Sequence, residues 1–424
     1  MPTAFTSPLR ISPNRRYFVT ADGQPFFWMG DTAWPFFTRY PMQVCLDYLA
    51  KRASQGFNVV QGVLAWSAGT GFEAPNPTAN EDGASAWEDD PAHPNPAFFD
   101  RVEKLLLAAN RQGVILAMLP TWGYYVVEAH RFSADSAFSY GKFLGERFKA
   151  HPNLVWVSGG DRFPDGHEAE YRALARGLRA GDGVPEAGRH LITYHPCGWR
   201  HSSQFWQDQD WLDFNMIETW TAWPSVYDAV HSDYGLLPTR PVVLGEGAYE
   251  DGPEYPLGPI TPLVVRRQAW WAFMAGGFIT YGQNLNWRDE PAWAEGWDRP
   301  GAGAMTLFKQ IATSRPWAQM VPDQSLFNSG VSSERTLNTA LRALDSTCAM
   351  LYLSSQCHVR VNVDRILTRR VKATLVNPAS GEEKDAGTYE TGNAAGAVFP
   401  PWRAEWFSVP GHWEDAVLIL DGCE

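Results

Sequence analysis

Eight short apolar runs alternate with helical patterns through most of the chain, and this alternation limits the possible folds more than any other feature. The runs are PFFWMGD, FNVVQGVLAW, GVILAMLPTW, NLVWVSGGD, HLITYHP, DFNMIETW, PVVLGEG and GFITYGQN. The helical patterns lie at about 42–55, 97–112, 134–149, 167–180, 225–235, 262–275 and 303–313. Strands that alternate with helices are typical of βαβ units and a parallel sheet. Eight such units predict an α/β fold, a closed (β/α)₈ TIM barrel.

The segments on either side of this alternation have a different pattern. Residues 1–23 predict a short β-rich lead-in, and the barrel is expected to span residues 24–315. Residues 316–424 contain short alternating segments such as CHVRVNV, separated by turn residues. This pattern predicts a second domain, an antiparallel β-sandwich. The length of 424 residues allows both domains, because a barrel alone takes roughly 250 residues.

The composition argues against several classes of protein. A formal net charge of −12 disfavours nucleic-acid binding, because basic patches supply the affinity for phosphates. No apolar run is long enough to cross a membrane, and the N-terminus lacks the apolar region of a secretory signal. We therefore expect a cytoplasmic protein, or a periplasmic or secreted one if a signal has been removed. The oligomeric state stays open.

The sequence also gives no indication of a metal or cofactor. The five cysteines are scattered and odd in number, so neither a disulfide framework nor a structural zinc site is expected. The chain contains no GxSxG, HExxH or P-loop motif, and its histidines do not cluster at metal-ligand spacing. The predicted partner is instead a carbohydrate substrate, for the reasons that follow.

Two of the predicted strands carry an acidic residue at the carboxyl end. NLVWVSGGD ends at Asp161, and PVVLGEG contains Glu246. In a TIM barrel, that end of the strands is the face where catalysis takes place. The two residues are 85 positions apart, or about three units of roughly 30 residues, which places them on strands four and seven. Carboxylates that face each other across the barrel mouth are the groups that cleave a glycosidic bond.

Both residues also have structural interpretations. Asp161 could cap the helix that follows it, because Asp is a favoured cap residue. Glu246 could form a buried salt bridge with an arginine of the barrel. The neighbouring glycines favour the catalytic interpretation, since strand interiors disfavour Gly and the Gly159-Gly160 pair allows a tight turn.

Further polar and aromatic side chains at predicted strand ends could contact substrate. They are Asp31, Trp34, Trp66, Trp122, His195, Glu218, Trp220, Glu250 and Asn284. The aromatic content of 14% is high, and the flat apolar face of Trp suits the C–H faces of sugar rings. Each of these residues could equally have a structural role: the tryptophans could pack loops, and Asp31 could cap a turn.

The sequence resembles the apiosidase-like glycoside hydrolases of family GH140 over nearly its whole length. The resemblance rests on GDTAWPFF, GFNVVQGVL, NLVWVSGGD, TYHPCGWR, WLDFNMIET and PVVLGEGAYE. RPWAQMVPDQSLF resembles the family's junction into a C-terminal β domain, which is similar to a module named for collagen binding. The resemblance implies a retaining mechanism, in which Asp161 is the acid/base and Glu246 the nucleophile. The activity best known in the family removes apiose from a branched pectic polysaccharide.

One departure from the family concerns the segment Glu218-Thr219-Trp220, where a Gln, a small residue and a His are expected. The substrate is therefore left open, although a plant-type or related glycan and exo action are expected. Three alternatives also remain: an inverting enzyme, a non-catalytic glycan-binding barrel and a metal-dependent hydrolase. A carboxylate pair held apart, or a mouth blocked by the long loop at 67–95, would indicate the glycan-binding barrel.

Overall fold

The computed structural model describes residues 4–67, 74, 76–183, 188–252, 256–288, 292–392 and 403–424. Residues 1–3 of the predicted lead-in and part of the predicted loop at 67–95 lie outside the described residues.

A small antiparallel sheet precedes the barrel. Its strands are β1 (Arg10–Ile11), β2 (Phe18–Val19) and β3 (Pro25–Phe26), with β2 in the centre. Phe18 is fully buried, and its ring packs against Trp28, Phe214 and Phe278 at centroid distances of 5.1–5.7 Å. These three partners lie at the amino-terminal ends of barrel strands. The lead-in therefore closes the end of the barrel opposite to the predicted catalytic face.

The predicted barrel is confirmed, and one of its strands lies at each of the eight apolar runs. The strands are β4 (Met29–Thr32), β5 (Val59–Val63), β6 (Ile115–Leu119), β7 (Leu154–Gly159), β8 (Ile192–His195), β10 (Asn215–Glu218), β11 (Val242–Glu246) and β12 (Phe278–Tyr281). Neighbouring strands pair in parallel in the order β8-β7-β6-β5-β4-β12-β11-β10, and β9 (Arg200–His201) adds to β10 antiparallel. The amide of Asp213 donates to the carbonyl oxygen of Ile192 at 2.8 Å, which closes the ring between β8 and β10.

Helices surround the barrel. They are α1 (Met42–Ser54), α2 (Pro96–Arg111), α3 (Gly123–Val127), α4 (Ala134–Phe148), α5 (Glu168–Asp182), α6 (Ser203–Trp206), α7 (Val226–Tyr234), α8 (Pro262–Met274), α9 (Trp293–Gly296) and α10 (Pro300–Ala312). The seven predicted helices match the longer members of this set, while α3, α6 and α9 are short turns of helix within loops. None of the helices in the described part of the chain is both long enough and apolar enough to cross a membrane.

The C-terminal domain is the predicted antiparallel β-sandwich. One sheet contains β13 (Met320–Pro322), β15 (Thr339–Ala343), β16 (Cys348–Leu353), β21 (Ala416–Cys423), β18 (Arg370–Val376) and β19 (Glu383–Glu390), in that order. The other contains β14 (Phe327–Ser329), β17 (His358–Asn362) and β20 (Ala404–Ser408). Alternate side chains of the two sheets form a separate apolar core between them.

A buried ion pair joins this domain to the barrel. Arg266 of α8 donates to both carboxylate oxygens of Asp415, at 3.0 and 2.9 Å. Tyr352 also donates to Asp415, at 2.8 Å. The Arg266 side chain is 3% exposed and the Asp415 side chain is fully buried. Such a pair contributes little net stability, but its disruption is costly because the remaining charge stays buried.

We expect the variant Arg266→Met to lower the free energy of unfolding by about 3–5 kcal/mol, because Asp415 would keep a buried charge without its cation. Equilibrium unfolding in urea would measure the change. A matched control is Arg315→Met, which removes a similar pair with Asp421 whose side chains are 29% and 35% exposed. This control should cost no more than about 1 kcal/mol. Equal losses in the two variants would contradict the expectation.

Candidate active site

The carboxyl ends of the barrel strands surround a cavity of about 770 Å³. Its wall combines acidic and aromatic side chains with a smaller number of basic ones. It is lined by Trp34, Trp66, Trp122, Asp161, Phe163, Cys197, Gly198, Trp199, Arg200, Glu218, Trp220, Glu246, Tyr249, Trp287 and Arg288. Concave sites of this size with a few converging polar groups are typical of small-molecule binding.

Backbone geometry directs Asp161 into this cavity. Strand β7 ends at Gly159, and Gly159 and Gly160 have φ values of 86° and 116°. A Cβ atom on Gly159 would lie 2.2 Å from the carbonyl oxygen of His195, so only glycine fits this turn. Asp161 itself has a φ of 54°. Helix α5 begins at Glu168, so Asp161 is not the cap residue of this helix.

The surroundings of Asp161 favour its protonated form. Its side chain is 35% exposed, and its Oδ2 lies 3.6 Å from Nη1 of Arg162. Partial burial and, next, the charge on Glu246 raise the pKa of Asp161 to about 6, although His195, Arg162 and the backbone amide of Gly198 act in the opposite direction. A carboxyl group with such a pKa can donate a proton in weakly acidic solution.

Glu246 lies at the end of β11 and faces His195. Its Oε2 is 3.1 Å from Nε2 of His195, and the Glu246 side chain is 12% exposed. The His195 ring is fully buried, and its Nδ1 lies 2.8 Å from the carbonyl oxygen of Pro196. Because a carbonyl oxygen can only accept, Nδ1 carries the proton that it donates there. This hydrogen bond fixes the orientation of the ring beside Glu246.

Glu218 adds a third carboxyl group. It ends β10, where its Cα is in register with that of Glu246 on the neighbouring strand. The side chain is 3% exposed, and Oε2 lies 3.8 Å from Nδ1 of His195. Among the described residues, Oε2 has no hydrogen-bond partner. Burial and then the charges on Glu246 and Asp161 raise the pKa of Glu218 well above 4.5.

In the described part of the chain, His195, Glu218 and Glu246 form a group that could hold a metal ion. One ligand atom from each lies within 4.8 Å of the others. Imidazole and carboxylate groups suit several divalent ions, including Zn²⁺. Alternatively, one of these carboxyl groups is neutral and forms a hydrogen bond. Experiment can distinguish a bound metal ion from a neutral carboxyl group.

Aromatic rings form the inner wall of the cavity. Trp34 packs against Trp122 and the His195 ring at centroid distances of 5.2 and 5.1 Å. Trp66 packs against Trp122 at 5.0 Å, and the indole N–H of Trp34 donates to the hydroxyl of Tyr249 at 3.0 Å. These contacts hold apolar faces in fixed positions beside the carboxyl groups.

A second aromatic group lies at the cavity mouth. Trp199 is 53% exposed, and its ring lies 5.1 Å from that of Trp220. Phe163 is 45% exposed and lies under the guanidinium of Arg200, at 5.3 Å. Large exposed rings around a cavity are unusual on a protein surface and are typical of binding sites.

Three of the residues that the sequence suggested for substrate contact lie elsewhere. Asp31 is fully buried and forms an ion pair with Arg52 at 2.5 Å. Glu250 is buried and accepts hydrogen bonds from Tyr281 and from the amide of Gly301. Asp31 and Glu250 therefore support the loops and helices around the barrel, because neighbours outside the cavity occupy their polar atoms. Asn284 instead accepts from Trp287 at 3.3 Å and from Arg288, two residues that themselves line the cavity.

The other predicted residues are brought together. Asp161, Glu246, Glu218, and the tryptophans at positions 34, 66, 122 and 220 line the cavity, and His195 lies directly behind it. Sequence reasoning missed several lining residues, namely Phe163, Cys197, Gly198, Trp199, Arg200, Tyr249 and Arg288. They follow the ends of strands β7, β8, β11 and β12 by a few positions. A search of every strand-end loop could have found them.

Two family models match the sequence. Residues 12–319 match the family described as "Apiosidase-like, catalytic domain". Residues 321–421 match the family described as "Putative collagen-binding domain of a collagenase". The first match covers more than half of the chain. A search of curated proteins found no match.

Several solved structures are similar to this one. One is titled "Glycoside hydrolase", with a TM-score of 0.85 and 24% identity, and the match covers 99% of this chain and 98% of that chain. A glycoside hydrolase family 5 protein from Bacteroides vulgatus ATCC 8482 has a TM-score of 0.85 and 25% identity, with 98% and 93% covered. An exo-beta-1,4-mannosidase from Opitutaceae bacterium strain TAV5 has a TM-score of 0.51 and 15% identity, with 72% and 63% covered. The first two similarities extend over both domains.

Proposed function

The chain belongs to the apiosidase-like family of glycoside hydrolases, and from that premise we propose that it hydrolyses a glycosidic bond with retention of configuration. The observation that carries the proposal is the pair Asp161 and Glu246 in one cavity, where the charge on Glu246 helps to raise the pKa of Asp161 to about 6. A carboxyl group with a raised pKa beside a second carboxyl group is suited to act as the acid in a reaction that also needs a nucleophile.

In the first step, a carboxylate oxygen of Glu246 attacks the anomeric carbon of the sugar. The bond from that carbon to the leaving oxygen breaks, and Asp161 gives its proton to this oxygen. The product is a covalent glycosyl-enzyme ester and a free alcohol. His195 acts as a positioning residue, because its ring lies 3.1 Å from Glu246 and is fixed by the Pro196 carbonyl.

In the second step, water enters the place of the alcohol. Asp161, now ionised, takes a proton from the water, and the oxygen of this water bonds to the anomeric carbon. The ester bond to Glu246 breaks, and the carboxylate is restored. Both carboxyl groups return to their starting states, so no other reactant is needed.

We also propose that the enzyme acts on the terminal sugar of a plant-type or related glycan. Trp34, Trp66 and Trp122 line the cavity, and their apolar faces suit the C–H faces of a terminal sugar ring. Trp220 at the mouth is suited to the next sugar unit. Binding through these faces would be apolar, with orientation set by the carboxyl groups.

The stereochemistry of the first product tests this proposal. Hydrolysis of aryl apiosides and arabinosides, followed by proton NMR at early times, should show a product with the anomeric configuration of the substrate. A product of inverted configuration would contradict the retaining mechanism but not the hydrolase. Binding of glycans without hydrolysis, by wild type under all conditions, would instead support a non-catalytic binding protein.

A further inference from the structure

Glu218 has no role in the two proposed steps, although it lies beside the nucleophile. It occupies the same level of the barrel as Glu246, since the amide of Thr219 donates to the carbonyl oxygen of Glu246 at 2.9 Å. Its carboxyl group lines the cavity but is 3% exposed. Oε2 is buried and has no hydrogen-bond partner among the described residues. A ligand therefore cannot reach Oε2, whereas Oε1 lies toward Gly198, a residue of the cavity wall, and is available to a ligand. A carboxylate charge would leave the buried Oε2 without a donor.

The groups around Glu218 disfavour a negative charge there. Two other carboxyl groups, Glu246 and Asp161, share the cavity, and burial raises the pKa of the nearby Cys197 thiol to about 11. The cations have other partners. Arg162 donates to Glu128 at 2.6 Å, and Arg200, although in register with Glu218 on β9, directs its guanidinium over the Phe163 ring.

His195 does not neutralise a charge on Glu218 through a hydrogen bond. Its Nδ1 lies 3.8 Å from Oε2 of Glu218 but is directed to the Pro196 carbonyl at 2.8 Å. Its Nε2 lies near Glu246. An ionised Glu218 would therefore be a buried carboxylate beside a second carboxylate, which is costly.

We propose that Glu218 works as a neutral carboxylic acid that donates a hydrogen bond from Oε1 to the substrate hydroxyl next to the anomeric carbon. The inference rests on the proposed function, because it places the anomeric carbon beside Glu246. A sugar carbon adjacent to the one attacked by Glu246 comes within reach of the neighbouring strand. Hydrogen bonds at that hydroxyl strengthen in the transition states of glycosidases. Only the protonated form of Glu218 can donate.

Two variants distinguish a protonated Glu218 from an ionised Glu218. Glu218→Ala should lower kcat/KM about 10-fold at about pH 5, because the hydrogen bond is lost. Glu218→Gln should recover most of that loss, since its amide N–H can also donate. A Glu218→Gln variant as impaired as Glu218→Ala would overturn the proposal, because it would mean that the carboxylate charge is needed.

The pH profile gives a second kinetic readout. In wild type, kcat/KM should fall as one proton is lost from Asp161 near pH 6, and the fall should steepen to two protons where Glu218 also ionises. In Glu218→Gln, the profile should keep a one-proton slope. Identical slopes in the two proteins would overturn the proposal.

Thermal unfolding tests the protonation state without any assay of activity. An acid whose pKa is raised in the folded state stabilises that state less and less as pH rises above its unfolded value, here 4.5. The Tm of Glu218→Gln relative to wild type should therefore increase between about pH 5 and about pH 8, by at least about 1 °C. A constant difference would mean that Glu218 is already ionised at pH 5.

Two further results, metal binding and an absence of hydrolysis, also test the proposed role of Glu218. A divalent metal that is bound by the purified protein at one equivalent and lost in Glu218→Gln would overturn the neutral acid, since coordination requires a carboxylate. If wild type hydrolyses no glycoside, the proposed function fails and the substrate hydrogen bond fails with it. The unfolding data would still report separately whether Glu218 is protonated.

Discussion

Glu246→Gln should lower kcat/KM by about 10⁴-fold or more, because an amide cannot attack the anomeric carbon. Glutamine has nearly the same shape, so the His195 ring and the wall of the cavity should keep their positions. The loss should appear in kcat rather than in KM, since the nucleophile acts in the chemical step. Initial rates on an activated aryl glycoside would measure the effect.

A surface variant and a chemical-rescue experiment show whether the loss of activity is specific to the nucleophile Glu246. Glu295→Gln changes an exposed glutamate of the short helix α9 and should leave the rates unchanged. In Glu246→Gly, added azide should restore turnover and give a glycosyl azide of inverted configuration, because the small anion attacks from the vacated side. Near-normal turnover by Glu246→Gln would rule out Glu246 as the nucleophile.

The strands and the positions of the two acidic strand ends were predictable because they depend on local patterns. Apolar runs such as those that end at Asp161 and Glu246 must be buried on both faces, and glycines next to them mark a tight turn. Counting strands then places both residues at one end of the barrel. No contact between distant residues has to be known for either step.

The roles of the other strand-end acids could not be predicted in this way. Asp31 and Glu218 both lie near the carboxyl ends of barrel strands, yet Asp31 is neutralised by Arg52, a residue of helix α1. Among the described residues no arginine forms such an ion pair with Glu218, and Nδ1 of His195 lies 3.8 Å from its Oε2. The difference depends on which face of a helix meets the end of a strand, and no spacing in the sequence specifies that contact.

The mouth of the cavity was predicted least well, because it is built by loops. Trp199 reaches Trp220 only because the backbone adopts φ values of 61° and 42° at these two positions. Non-glycine residues rarely take up this conformation, so a pattern of residue types does not reveal it. Trp34 and Trp122, in contrast, follow directly from strand ends and were predictable.

Asp161→Asn should lower kcat/KM by about 10²–10⁴-fold for substrates whose leaving group needs a proton. The wild-type profile should fall as pH rises through about 6, because Asp161 must be protonated to act as the acid. Asparagine carries no such proton, so this fall should be absent in the variant. Rates measured between about pH 4 and about pH 8 would test both points.

The dependence on the leaving group separates an acid from a residue that only maintains the structure. A dinitrophenolate leaves without a proton, so Asp161→Asn should form the glycosyl-enzyme from such a substrate at nearly the wild-type rate. The second step should then be slow, and a burst of dinitrophenolate should precede it, because no base activates the water. Asp165→Asn, an exposed change in the same loop, serves as the control and should behave as wild type. An equal loss on good and poor leaving groups would show that Asp161 does not transfer the proton.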